Sequence, residues 1–488
     1  MNPKAISFPL PSRKKEAGKR FSSTSPSFFL SSLLSLRLFK PLFKLAQKIR
    51  FKLEIFAYHA KKMIPFFLVG ITVGIFIFLY QKQLISLYQS PILHPQKVGV
   101  AGLYTSQNLP VAILRQISFG LTQIDQNQKP TLSPLVKSLQ TPDEKTYIFE
   151  LNNNIFWHNK LKLTANTIKP QIDGLTSESL SPTTLKIITD KPFAPLLTVL
   201  SQPLFRNQLV GIGPYHLNQI KYQDGFVKAL TVSPEDKLTL PKIIYRFYQN
   251  EDDLITGYKL GEVDEVEIET LPGYLNDWSQ TKIVPYINTT DKYLGIFINT
   301  QKFSQKQLRQ ALAYATPKTP DKNKRCLGPI SPNSWAYNPD VKDYAYNPQR
   351  AKDLFEGNKI EKISLNVINR DLLPIAEEIK NSWKKDLGID VTITIENQID
   401  PQNFDAVLAY SGIPADPDQY TFWHSTQEKT NITHLNNSRI DKLLEEGRLT
   451  FNLQDRKKIY LDFQKFLLEE SPVIFISYPT IYSVSRIK

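Results

Sequence analysis

The chain has little of what builds covalent or metal-centred chemistry. Of its 488 residues one is cysteine, Cys326, and six are histidine. A single thiol excludes an intramolecular disulfide and any cysteine-based zinc site. It also excludes a lipid anchor of the kind that needs a cysteine just after an apolar segment. The histidines, His59, His94, His158, His216, His424 and His434, show no ligand spacing such as H-x-x-x-H, so no metal site is expected. G-x-S-x-G, the Walker A pattern and G-x-G-x-x-G are all missing, which removes the nucleophile elbow and the common phosphate loops. S-x-x-K occurs at Ser279, Ser382 and Ser485, but no S-D-N or K-T-G accompanies it, so a penicillin-binding enzyme is not expected. No catalytic residue and no cofactor is assigned.

Charge is also scarce over most of the chain. Residues 1–62 hold 14 Lys and Arg against Glu16 and Glu54, a net +12; the whole chain is +14, which leaves about +2 for residues 63–488. A near-neutral remainder gives no electrostatic reason to bind nucleic acid. At the junction lies Ile64 to Tyr80, IPFFLVGITVGIFIFLY, uncharged and preceded by Lys61 and Lys62. Seventeen residues cover about 25 Å, somewhat less than a bilayer core of roughly 30 Å, so the span is expected to extend into flanking turns or thin the bilayer. The long leader and the absence of an A-x-A-like exit argue against a cleaved signal. The basic side is then cytoplasmic and the bulk of the chain outside, a single-pass cell-membrane protein.

Residues 1–27 are rich in Ser, Pro and Lys/Arg and read as disordered. Leu42, Leu45, Ile49, Leu53 and Phe56 fall at helical spacing with Lys44, Lys48 and Lys52 on another face. Two readings stand for this basic amphipathic helix: it lies on the anionic leaflet, or it is a solvated helix that enforces orientation. Expected strands follow at Lys97 to Tyr104, Thr146 to Leu151, Thr184 to Thr189 and Lys242 to Tyr248. Tyr293 to Thr300 is a strand leading to a helix capped by Ser304, with Gln307 completing a capping box. Ile363 to Ile368, a helix from Pro374 to Leu387 stopped by Gly388, and Ile389 to Ile395 form a βαβ unit with parallel strands. Asp405 to Tyr410 is a buried strand, helices open at Ser438 and near Asn452, and Val473 to Tyr478 is a last strand. The class is α/β with mixed sheets.

Five blocks, in order, resemble the extracytoplasmic solute-binding proteins of peptide- and nickel-type ABC importers. They are ISFGLTQID (Ile117 to Asp125), the stretch Lys145 to Lys169, GIGPY (Gly211 to Tyr215), GEVDEVEI (Gly261 to Ile268), and YLGIFINTQKFSQKQLRQALAYA (Tyr293 to Ala315). The longer similarity from Phe404 to Tyr478 adds Asp416-Pro417-Asp418, Asn437, Asp441, Arg456, Tyr460 and Ser471-Pro472. The resemblance implies a two-lobed periplasmic-binding-protein-like fold of type II behind an N-terminal transmembrane helix. Its divisions would be a basic cytoplasmic tail (1–62), an anchor (63–88), lobe one (97–290, completed by 471–488) and lobe two (291–470). The chain would cross between lobes near Asn288 and Glu470. The family's helical insertion is nearly missing between Ile168 and Thr184, so lobe one is expected to be trimmed.

The implied function is capture of a peptide or other small solute for the membrane subunits of an ABC importer. The alternative is a membrane-tethered sensor or scaffold reusing the fold. The implied cleft residues are Tyr104, Tyr410, Ile413, Asp416, Tyr420 and Trp423. Plainer readings stand beside them: Asp416 and Asp418 as turn formers around a proline, and Trp423 as core. Asn299, Arg309 and Gly213 read as structural. In peptide-binding members of the family an aspartate three residues before the Asp-Pro-Asp loop pairs with the ligand's α-ammonium; here that position is Ile413. Either Asp416 substitutes, or the ligand is N-blocked, non-peptide or weakly held.

Overall fold

The computed structural model describes residues 40–88, 95–170, 172–236, 240–358, 360–396 and 399–487. The expected disorder of residues 1–27 lies outside them. Two units result, residues 1–85 and 86–488. In the first, the amphipathic stretch and the apolar run form one uninterrupted helix, Lys40–Tyr88, of 49 residues, about 74 Å at 1.5 Å per residue. Leu45, Ile49, Leu53 and Phe56 are exposed along it. The segment long and apolar enough to cross a membrane is Lys61–Gln81, 21 residues. That is about 32 Å, long enough to match a bilayer core of roughly 30 Å.

In the second unit, alternating and buried apolar residues build two large sheets, a four-stranded one and a two-stranded one formed by Thr122–Ile124 and Pro130–Leu132. The first lobe carries a seven-stranded sheet in the order Thr281–Ile287, Thr480–Arg486, Glu265–Ile268, Gln96–Ala101, Ile243–Tyr248, Phe226–Pro234, Tyr215–Gln223. Beside it stands an antiparallel sheet of Val136–Gln140, Thr146–Leu151, Thr184–Thr189 and Leu175–Ser181 with its own core around Phe149, Trp157 and Leu185. The stretch between Ile168 and Thr184 forms the strand Leu175–Ser181, which pairs antiparallel with Thr184–Thr189.

The second lobe is a five-stranded sheet in the order Asp390–Ile395, Lys362–Val367, Ala406–Gly412, Lys292–Ile298, Val473–Ser477. Lys362–Val367 and Asp390–Ile395 are parallel, joined by the helix Leu373–Leu387, whose end is capped by Gly388 at φ 74°. Lys292–Ile298 is buried on both faces, and strands pair with both of its edges. Gly295 is required there: a Cβ would meet Val473 Cγ1 at 2.8 Å.

Two expectations change. Helix Lys306–Ala315 opens at Gln305 with no side-chain cap, so the Ser304–Gln307 box does not form. The Ser304 carbonyl instead accepts from the buried Arg309 guanidinium, which also holds the carbonyls of Phe303 and Glu470. Helix Ser438–Leu449 opens at Ser438 as expected, capped by Asn437, whose side chain accepts from the backbone of Arg439 and Ile440. Lastly, Val473–Ser477 pairs antiparallel with Lys292–Ile298 and so belongs to the second-lobe sheet; only Thr480–Arg486 joins the first. The return crossing therefore sits at Tyr478 and Pro479, not near Glu470. There Asn288 N–H donates to the Pro479 carbonyl at 3.0 Å, tying the two crossing segments together.

Candidate functional site

The Asp-Pro-Asp loop follows Ala406–Gly412 and turns back over the second lobe. Its first carboxylate is closed off. Asp416 is buried and held in a fork by Arg456, with Nη2 to Oδ1 at 2.6 Å and Nη1 to Oδ2 at 3.1 Å. Arg456 projects from helix Leu453–Glu470, whose N-terminus is capped by Asn452. Asp416 Oδ2 also accepts from the Thr198 hydroxyl at 3.1 Å, and Oδ1 accepts from Asp418 N–H at 3.0 Å. Thr198 lies in the short helix Leu196–Val199 beside the four-stranded sheet, so this contact joins the two lobes. A carboxylate with four such donors has little capacity left for a ligand ammonium.

Its neighbour is engaged in the same way. Arg448 Nε donates to Asp418 Oδ2 at 2.9 Å, and its guanidinium lies 3.9 Å from the Tyr420 ring centroid and 5.7 Å from that of Phe193 in the first lobe. Burial pushes the Asp418 carboxyl up, against the pull of Arg448. Tyr420 stacks on His424 at 4.1 Å. Ala194 N–H donates to the Arg448 carbonyl at 2.8 Å, a second bond between lobes. The loop is thus a brace that also fastens one lobe to the other.

The open space lies elsewhere in the second lobe. A cavity of about 380 Å³ is lined by Tyr410 and Trp423 together with Phe297, Ile368, Phe422 and Ile432 among others. Trp423 is almost wholly buried, with its indole N–H held by Gln419 Oε1 at 3.1 Å, so it is core and cavity wall at once. Tyr410 links the cavity to the lobe boundary. Lys292 Nζ lies 4.4 Å from its ring centroid and is paired with Glu269 of the first lobe. Burial, with the charges of Glu269, Asp371 and Glu251, pushes the Tyr410 phenol up to about 12. Glu251 and Glu269 come from the first lobe and Asp371 from the second, so carboxylates of both lobes act on one phenol. Burial also raises the carboxyl of Glu251, although it accepts the backbone N–H groups of Glu269 and Thr270.

The remaining expected residues do not join this cavity. Tyr104 belongs to the first lobe, where its hydroxyl donates to Ala101 O at 3.3 Å and its ring meets Phe247 edge-on. Ile413 is a core residue of the second lobe, and its N–H donates to Asp291 O at 2.8 Å beside the crossing. Of the six, Tyr410 and Trp423 line the space and Ile413, Asp416, Tyr420 and Tyr104 do not. Glu251, Glu269, Lys292 and Asp371 were not foreseen; they are far apart in sequence, and only the crossing brings them together. Among the described residues no group of three His, Cys, Asp or Glu is placed to hold a metal.

Residues 133–433 match the family model described as "Bacterial extracellular solute-binding proteins, family 5 Middle", more than half of the chain. Oligopeptide-binding protein AppA of Bacillus subtilis is 23% identical over 313 residues, 56% of this chain and 57% of that protein, so the match spans little more than half of its length. Dipeptide-binding protein DppE of the same organism is 22% identical over 447 residues, 74% of this chain and 81% of its own. Among solved structures, NikZ from Campylobacter jejuni in complex with Ni(L-His) superposes with a TM-score of 0.67 at 21% identity, covering 80% of this chain and 94% of that one. AppA from Bacillus subtilis in complex with a nonapeptide gives 0.63 at 20%, with the same coverage.

Proposed function

The chain belongs to the bacterial extracellular solute-binding proteins, family 5, and from that premise we propose that it captures an external peptide between its lobes for an ABC importer. The relatives named for oligopeptide and dipeptide binding support the solute class. The observation that carries the reading in this chain is the cavity behind Tyr410, which lies where carboxylates of both lobes converge and close to the paired crossing segments. A ligand seated there and touching the first lobe stabilises the closed form, and closure is what importer subunits read. Capture of this kind involves no covalent step, which fits the lack of catalytic motifs. A tethered sensor or scaffold gains no support from these relatives.

The apolar helix supports a single-pass anchor, with the basic tail cytoplasmic and the binding unit outside. Protease added to intact cells, or to spheroplasts where an outer membrane exists, should degrade the region after Ser90 and spare the tail. Protection of the large unit would overturn that topology.

With isoleucine at position 413 and Asp416 held by Arg456, a free peptide N-terminus finds no carboxylate at this loop. Buried ammonium groups without a partner are costly, so N-blocked or longer peptides are preferred over free di- and tripeptides. Full-length chain in lipid nanodiscs, incubated with a defined peptide mixture and washed, should release peptides detectable by mass spectrometry. Recovery of none would overturn the peptide reading.

A further inference from the structure

The cavity has an unusual lining for a site that receives polar cargo. Its walls include Phe297, Ile368, Ala409, Phe422, Trp423 and Ile432, and the polar side chains among its lining residues are those of Tyr410, Ser411, Thr430 and Thr433, with the indole of Trp423 held by Gln419. Two of those hydroxyls already donate within the protein, Thr430 to the Thr421 carbonyl and Thr433 to Asn431 Oδ1. No acid or base lines the space apart from the Tyr410 phenol, which burial and the neighbouring carboxylates keep protonated at physiological pH. At about 380 Å³ the volume stands at the low end of the roughly 300–1,000 Å³ typical of ligand sites. That is ample for one large side chain, being more than twice the roughly 150 Å³ that takes a benzene ring.

We propose that this cavity sets the specificity of capture, taking one aromatic or branched aliphatic side chain of the ligand and rejecting a charged one. The inference rests on the peptide reading above. A lysine or aspartate side chain entering here exchanges water for aromatic and aliphatic walls and finds no acid or base among the residues that line them, while a phenyl or isobutyl group gains apolar contact. At the lobe boundary Glu269 is paired with Lys292, whose Nζ lies 4.4 Å from the centroid of the Tyr410 ring. Size and neutrality, not a salt bridge, then choose the cargo.

The test is calorimetry on the full-length chain in nanodiscs with N-acetylated tripeptides, alanine throughout except for Phe, Leu, Lys or Asp at each position in turn. At one position Phe and Leu should bind at least about 100-fold tighter than Lys and Asp. Ala409→Leu narrows the space from its wall and should cut the Phe peptide's affinity at least about 10-fold, with a smaller loss for the all-alanine peptide. Ile432→Trp does the same from a second wall if the first variant fails to fold, which its unfolding midpoint reveals. Equal affinities across the four residues at every position would overturn the inference, as would a folded filling variant that holds the Phe peptide as tightly as the parent. If no peptide binds, the peptide reading falls and saturation-transfer NMR with benzyl alcohol and butylammonium judges the cavity alone. Benzyl alcohol bound by the parent and lost in the filling variant upholds it; no benzyl alcohol binding overturns it.

Discussion

The Asp-Pro-Asp loop and the cavity behind Tyr410 are neighbours in the second lobe, and they divide its chemistry between them. The loop holds two carboxylates and two guanidiniums, every one of them spent on another protein group. The cavity holds almost no charge and is open. Charged residues at a binding-protein loop are easily taken for ligand contacts, yet here the buried ones are satisfied internally, because an unpaired charge at that depth is too costly to keep in reserve. Recognition falls to the apolar region, and the charged one shapes and fastens it.

The largest effect should come from breaking the brace. Arg456→Ala leaves Asp416 buried without its partner and should lower unfolding free energy by about 3–5 kcal/mol, measured by urea denaturation of the full-length chain. If the loop were loosely held, the loss would be under about 1 kcal/mol, the range of exposed ion pairs. A smaller effect is expected from Thr198→Val, which removes one hydrogen bond between the lobes and should cost about 0.5–1.5 kcal/mol. The same change should loosen the lobes, seen as a larger radius of gyration in solution scattering. An unchanged radius would mean that Thr198 fastens nothing.

The smallest effect concerns the charged edge of the cavity. The folded chain raises the Glu251 carboxyl above its ordinary value of 4.5, mainly by burial. The stability linked to that group is therefore fully present below about pH 4.5 and is lost as pH rises through the raised value. Glu251→Gln should flatten that part of the stability profile and leave the profile below pH 4 unchanged. A variant with the parent's slope would remove Glu251 from the account.

Much of the second lobe was legible because its signals are local. Gly388 at a helix end, Asn452 at a helix start and the apolar strands on either side of Leu373–Leu387 each follow from residues within one turn of the feature. The final strand Thr480–Arg486 was not read: it follows Pro479 directly, and its burial depends on Glu265–Ile268 and Thr281–Ile287, some two hundred residues earlier. The error at Ser304 has a similar origin. Arg309 takes the Ser304 carbonyl, and no local pattern foretells a long-range claim on a cap. At the site, Tyr410 and Trp423 were found through the family blocks. Phe297, Ile368 and Ile432 were not, because a residue that walls a cavity and one that fills a core look the same in sequence. Asp416 was read both as a cleft residue and as a turn former, and only its distances to Arg456 and Thr198 show what its carboxylate touches.

The most direct test of the division between brace and cavity is a calorimetric titration of the full-length chain with one matched pair, a free tripeptide carrying Phe and its N-acetylated form, repeated on Asp416→Asn. The account predicts that acetylation leaves affinity equal or improves it, and that Asp416→Asn lowers stability without singling out the free peptide. A free peptide that binds about 100-fold tighter than its acetylated twin, the size of a lost buried ion pair, and that loses this advantage in Asp416→Asn would contradict it.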